Sequence, residues 1–411
     1  MLSTARRNFA LFTLALGGFG IGTTEFVTMG LLPQIAGELV PGFGADPTAG
    51  IAHAGWLVTA YALGVVVGAP VTAVATARMS QRTLVLVLVA ALAAANLASA
   101  LMPGFGLTAV ARFVAGLPHG AYFGVASLLA ARLMGPGRQG AGVAIALSGL
   151  TVANVVGVPL GTWLGQEAGW RWAYVTVAAI FALTLVLALR AIPAVPGNPD
   201  RHPSRELLAF RNPRLWLMLA VGAIGFGGFF AVYSYISEVA TRTAGLSESL
   251  VPWVLATLGT GMVVGNIIGG WASDRDLSRT VVVGFSGLTA AMALYALLAW
   301  HPVLLFVLVL AIGITSSSLI PSVQARIIDI AGEAELLGAA LNHAAFNVGN
   351  SLGAWLGGLV IAGGFGYLAP GWVGVALAVS GGVLALVSIH WDRVSPRPGA
   401  VQADEPQPAT T

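Results

Sequence analysis

The chain has 411 residues, of which 57% are hydrophobic and 9% charged, with a net charge of +3. Soluble domains carry about 25% charged residues, so this composition excludes a soluble globular protein and implies a polytopic membrane protein. Cysteine is absent and all 19 basic residues are Arg, which excludes a disulfide framework, thiolate metal sites, a lysine Schiff base and the GxxxxGK[ST] phosphate loop of ATP-driven pumps.

Apolar stretches long enough to cross about 30 Å of hydrocarbon fall at Phe9–Leu32, His53–Ala77, Thr83–Met102, Leu107–Leu133, Gly140–Leu164, Trp172–Ile192, Leu215–Ala240, Val251–Ser273, Val281–Trp300, Val303–Ile328, Leu336–Ala362 and Leu368–Trp391. These are twelve expected membrane helices. Arg6 and Arg7 ahead of the first imitate a secretory signal, but the apolar run is long, contains Glu25 and lacks a small-residue cleavage site, so it reads as an uncleaved span. With the amino terminus inside, sixteen arginines face the cytoplasm, Arg171 and Arg242 fall on the other side, and Arg112 lies within a span. The positive-inside rule then places both termini in the cytoplasm. The basic residues are scattered along membrane edges, so the charge does not point to nucleic acid.

The Pro- and Arg-rich stretch after the sixth span divides the chain. We expect a first six-helix bundle over residues 1–192, a cytoplasmic linker over 193–213, a second bundle over 214–392 and a disordered polar tail over 393–411. The two halves are related. At an offset of 197, Trp56, Gly64, Gly68, Arg78 and Arg82 meet Trp253, Gly261, Gly265, Arg275 and Arg279. Gly157, Gly161, Trp163 and Gly165 of the fifth span likewise match Gly349, Gly353, Trp355 and Gly357 of the eleventh. A duplicated six-helix unit implies a substrate site between the halves and rocking access to it. Small-residue ladders at Gly116/Gly120/Gly124, Gly157/Gly161/Gly165 and Gly261/Gly265/Gly269 point to close helix packing, which between the halves would also suit a rocking motion.

The residue around which this reading turns is Glu25, in the first span beside Phe26. A carboxylate at the bilayer centre costs about 2.5–3.5 kcal/mol to insert and normally faces a water-filled cavity or an opposite charge. Arg112 is the candidate partner. Glu25 lies about 10 Å, and Arg112 about 8 Å, below the same surface at 1.5 Å per residue, so the two share a depth. Either the pair loads and releases a proton, or it is a static ion pair that orders the helices. His119, seven residues after Arg112, is either a proton relay or substrate contact, or a packing histidine. His343, Asn347 and Asn350 form an i, i+4, i+7 stripe on the eleventh span. This stripe reads as a cavity wall or as interhelical hydrogen bonding. Asn154 admits the same two readings. Phe226, Phe230, Tyr233 and Ser237 share a face of the seventh span, and line a cavity or pack against neighbours and lipid. HExxH, GxSxG and paired cysteine motifs are absent, and Gly18, Gly20 and Gly22 follow no strand; no cofactor and no metal is expected, and no enzyme activity.

Gly270-Trp-Ala-Ser-Asp274-Arg275, followed by Arg279, resembles the GxxxD-R-x-G-R loop of the major facilitator superfamily. In the first-half equivalent Arg78 and Arg82 remain, but Ala77 stands in place of the acid. Arg112-Phe-Val-Ala-Gly116 resembles the family's fourth-helix motif, and Gly157-Val-Pro159-Leu-Gly161 a degenerate form of the antiporters' glycine–proline motif. Gly22 to Pro33 is similar to the first helix of bacterial drug:proton antiporters of the chloramphenicol-resistance, arabinose and sugar efflux type. The resemblance spans about Phe9 to Trp391. It implies an all-α, twelve-helix facilitator fold, working as a monomer in the bacterial inner membrane and exporting a small molecule (drug, sugar or similar metabolite) against protons. It further implies a cytoplasmic gate at Arg78, Arg82, Asp274, Arg275 and Arg279. Same-fold proton-coupled uptake or passive exchange of a sugar or nucleoside is the nearest alternative. A polytopic enzyme or a channel stands further off.

Overall fold

The computed structural model describes residues 3–76, 79–135, 139–193, 211–273, 275–331 and 335–395. Arg78 and Asp274, most of the expected linker and the tail from residue 396 lie outside them. Every regular element among the described residues is helical, and twelve helices are long and apolar enough to span a bilayer. These are α1 (Thr4–Gly30), α2 (Pro47–Thr72), α3 (Gln81–Leu101), α4 (Phe105–Met134), α5 (Ile145–Ala168), α6 (Trp170–Ala191), α7 (Pro213–Ser234), α8 (Glu248–Ser273), α9 (Leu277–Leu298), α10 (Pro302–Ala331), α11 (Leu341–Ala362) and α12 (Ala369–Val394).

The expected spans are all present, with shifts at their ends. The first helix starts at Thr4, where the Ser3 hydroxyl accepts from Arg6 N, a side-chain cap for an otherwise unpaired first-turn N–H. The seventh stops at Ser234 instead of reaching Ala240. Tyr235 leaves helical geometry, and one short turn (Ile236–Glu238) and a wide turn (Val239–Thr243) follow. The Tyr235 hydroxyl donates to Ala354 O of α11 at 2.7 Å, which fixes the break. The twelfth helix continues to Val394, two residues into the stretch expected to be tail.

The helices gather into two bundles of six. In the first, α1 packs on α5 and α6, α2 on α4, and α3 on α6; in the second, α7 packs on α11 and α12, α8 on α10, and α9 on α10 and α12. The bundles meet through two broad contacts, α2 against α11 and α8 against α5. Those four helices are the ones carrying the sequence repeats. Their repeated tryptophans, Trp56, Trp163, Trp253 and Trp355, are all exposed at the arginine-poor end, where amphipathic rings favour the membrane–water interface.

The glycine ladders act inside the bundles, not between them. A Cβ at Gly261, Gly265 or Gly269 would strike backbone oxygens of α10, at Gly157 or Gly161 side chains of α1, and at Gly165 that of Leu31 just after α1. The close approach between the halves falls at a glycine outside the ladders: a Cβ on Gly259 would lie 2.3 Å from Asn154 O. Gly259→Ala should therefore cost about 1–3 kcal/mol, the usual penalty of overpacking. Gly270→Ala on the same helix, where nothing lies within 4 Å, should leave the melting temperature unchanged or slightly raised, since alanine is the better helix former. Equal melting temperatures for the two variants would show that this contact is not tight.

Two helices are interrupted where they face the interface. In α5 the residues Ala153–Gly157 form a π-turn. Pro159 cannot donate to the carbonyl four residues back, and a wide turn absorbs the lost bond. In α4 the helix breaks at Leu117 and Pro118 and resumes at His119 for the same reason.

Candidate functional site

A cavity of about 610 Å³ lies between the bundles. Its lining runs from Glu25 and Phe26 of α1 to Gln324 of α10, two residues from Arg326, so it extends toward the arginine-rich face. At the other end it is shut by an aromatic stack. Phe26 lies 6.3 Å from Phe230 and 5.1 Å from Tyr233 between ring centroids, joining α1 to α7 across the interface. The Tyr233 hydroxyl donates to Asn154 Oδ1 at 3.2 Å, adding α5 to the same closure.

Glu25 is 4% exposed and its side chain lines the cavity. The expected ion pair with Arg112 is not formed: no carboxylate–guanidinium contact within 4.0 Å joins them. Arg112, fully buried, instead donates to Thr24 Oγ1 at 2.9 Å and to Thr24 O at 3.0 Å. The reason is helical geometry. Successive residues point about 100° apart, so Thr24 faces α4 while Glu25 turns toward the cavity. The Thr24 hydroxyl donates in turn to Asn96 Oδ1 of α3. The guanidinium is stacked over Tyr61 at 4.3 Å and faces Tyr174 at 5.2 Å, so its charge is held by π faces and neutral acceptors. It still lies close enough to act on the Glu25 carboxylate electrostatically, and Asn350 approaches that carboxylate from α11. Glu25 thus carries a charge-sensitive position without a fixed countercharge.

Tyr61 ties a second group to this centre. Its hydroxyl is 3.0 Å from His119 Nδ1, while His119 Nε2 is buried without a partner. Across the interface His343 stacks on Phe123, with centroids 4.9 Å apart, and lies 6.0 Å from His119. Both histidines line the cavity, as do Asn154, Phe230 and Asn347. Asn350 is fully buried beyond the lining, and Tyr233 belongs to the closure. Ser237 has left the α7 face and donates to Met29 O at 3.2 Å. The sequence reading missed Tyr61, Phe123, Phe229 and Phe346, for which no sequence signal existed. It also missed Asn266, Gln324 and Asn342, which line the cavity and were legible as lone polar residues in apolar spans.

The described gate residues do not reach across the interface. Arg82 donates to Leu189 O at 2.7 Å within the first bundle, and Arg275, just past the end of α8, stacks on Trp271 of that helix at 3.6 Å. The backbone N–H of Arg279 donates to Asp276, the cap of α9. At this end Asp392 pairs with Arg326 at 2.7 Å and with Arg214 at 3.3 Å, both within the second bundle.

The model of the Major Facilitator Superfamily matches residues 14–242 and 236–411. The chain belongs to this superfamily. It is 34% identical over 360 residues to the inner membrane transport protein YdhP of Escherichia coli, covering 88% of this chain and 90% of that one. It is also 34% identical over 377 residues to a chloramphenicol resistance protein of Streptomyces lividans, with 90% and 94% covered. These relatives bear out the motif-level resemblance to the drug:proton antiporter branch. The fold matches a crystal structure of a D-xylose–proton symporter with a TM-score of 0.70 over 91% of this chain and 96% of that one, at 16% identity. The protein is therefore a multi-pass membrane transporter of the facilitator fold.

Proposed function

We propose that this facilitator exports small, mainly apolar aromatic molecules from the cytoplasm in exchange for protons, with Glu25 as the proton carrier. The observation that carries this reading is a carboxylate held in a membrane span at the closed end of an inter-bundle cavity, with no fixed ion-pair partner. A protonatable group placed there meets whichever aqueous side the cavity faces. With the arginine-rich face in the cytoplasm, the cavity is open inward, the loading position for an exporter. Six phenylalanines line it: Phe26, Phe123, Phe226, Phe229, Phe230 and Phe346. That surface favours a flat apolar substrate over a sugar, with Asn154, His343 and Asn347 supplying the few orienting hydrogen bonds. The chloramphenicol-resistance relative supports efflux. A single chain in the inner membrane is the proposed working unit, the membrane being that named for the YdhP relative.

The test is transport in inside-out vesicles containing the purified protein. An acid lumen should drive uptake of chloramphenicol from the bath, and collapsing the gradient should stop it. Accumulation driven only by an alkaline lumen, or of xylose or arabinose in place of the aromatic probe, would support the symport or sugar reading instead.

A further inference from the structure

A second carboxylate is buried in the seam between the bundles, on the side away from the cytoplasm. Glu238 lies beyond the end of α7, in the turn Ile236–Glu238, and its side chain is fully buried. It borders a void of about 40 Å³, walled by Gln34 and Gln166 of the first bundle and by Arg242 and Glu248 of the second. That is room for about one water molecule. The seam around it is stitched by polar contacts: Gln166 Nε2 donates to Glu248 O at 3.2 Å, Gln34 Nε2 faces Glu248 Oε2 at 3.5 Å, and Ser237, next to Glu238, donates to Met29 O.

Glu238 itself is poorly satisfied. Among the described residues neither carboxylate oxygen accepts a well-aligned hydrogen bond, and the one ionic contact is Arg242 Nε at 3.3 Å, through a guanidinium side chain that is 38% exposed. The other titratable or charged groups facing it are Glu248, of like sign at the start of α8, and the phenol of Tyr235. Tyr367 lies under Arg242 at 5.8 Å, and Gln34 and Gln166 bring no charge from the first bundle. A buried carboxylate with so little compensation is penalised in its charged form.

We propose that Glu238 is a second proton-binding group of this transporter, taking up a proton as the outer seam closes over it and releasing it when the seam opens. This rests on the alternating-access reading above, but not on Glu25 being the carrier. Burial pushes the Glu238 carboxyl from 4.5 up to about 7, against the pull of Arg242 and with a smaller push from Glu248. The sign follows. A carboxyl that holds its proton more tightly in the closed seam than in water makes closure more favourable as pH falls through about 7, until the exposed carboxyl also protonates near 4.5. Acid on the outside would thus shut the outer face behind an arriving proton.

The chain has no cysteine, so spin labels at Pro103→Cys and His301→Cys, on outer loops of the two bundles, report seam opening by electron–electron distance measurements on the full-length reconstituted protein. In the parent, the closed:open ratio should rise by up to about tenfold per pH unit between pH 7 and pH 5. Glu238→Gln should stay closed at all these pH values, while Glu25→Gln should keep the outer-seam response. Arg242→Gln should move the midpoint of closure to higher pH and Glu248→Gln to lower pH, a pattern that a purely structural role for Glu238 does not produce. Parent-like pH dependence in Glu238→Gln, or unmoved midpoints in the other two, would overturn the proposal while leaving alternating access intact. Distances that never change in any variant would overturn both.

Discussion

Glu25→Gln should abolish accumulation driven by a proton gradient while leaving substrate-for-substrate exchange near its parent rate. The side chain is nearly isosteric, and no ion pair is broken, because Arg112 bonds Thr24 through Nη1 and Nη2 and lies against two tyrosine rings, its Nε alone being buried without a hydrogen bond. The fold should therefore be retained. What is lost is the one acid that, among the described residues, meets the cavity at membrane depth. One charge falling through 100 mV supplies about 2.3 kcal/mol and one pH unit about 1.4 kcal/mol. Together these sustain roughly a several-hundredfold gradient of a neutral substrate at one proton per cycle. In Glu25→Gln that ratio should fall to about one, measured as the steady-state distribution of labelled substrate across proteoliposomes at imposed pH gradients. Undiminished accumulation would remove Glu25 from the coupling step.

Arg112→Lys is expected to fold and yet fail to couple. The planar fork donates to Thr24 Oγ1 and O together and lies over the Tyr61 ring, a geometry that a lysine ammonium does not reproduce. Arg112→Ala goes further. It strips buried Thr24 acceptors of charge-assisted donors worth about 1.5–3 kcal/mol each and should lower the melting temperature as well as transport. Thr24→Val separates the two effects: it removes the hydroxyl acceptor but leaves the carbonyl bond and the charge in place. Its coupling should stay closer to the parent than that of Arg112→Lys. A lysine variant that matches the parent in its pH profile for transport would show that positive charge alone suffices. An alanine variant with an unchanged pH profile would show that Arg112 and Glu25 are not linked.

Composition and hydropathy sufficed for the twelve helices, because each span must satisfy its own backbone in hydrocarbon and so announces itself as a long apolar run. The duplication was legible too, since Trp56/Trp253 and the glycines matched in register with them keep both residue type and spacing. Glu25 and Arg112 stood out because charge in a membrane span is costly and rare, and their shared depth followed from helical rise alone. Which way each side chain points was not legible. A twelve-helix chain offers many neighbours at one depth, and periodicity is weak in helices that are apolar nearly all round. Only the packed structure shows that Arg112 bonds Thr24 and leaves Glu25 to the cavity, and that Tyr61 joins Arg112 to His119. It alone brings Gly259 against Asn154 O between the halves while the glycine ladders serve each half internally. Glu238 makes the same point: in sequence it sat near a span end, where a carboxylate is ordinary, and the break at Tyr235 folds it inward to a buried seam. Local sequence fixes which segments enter the membrane; which faces they turn to one another is decided by long-range packing that no single segment encodes.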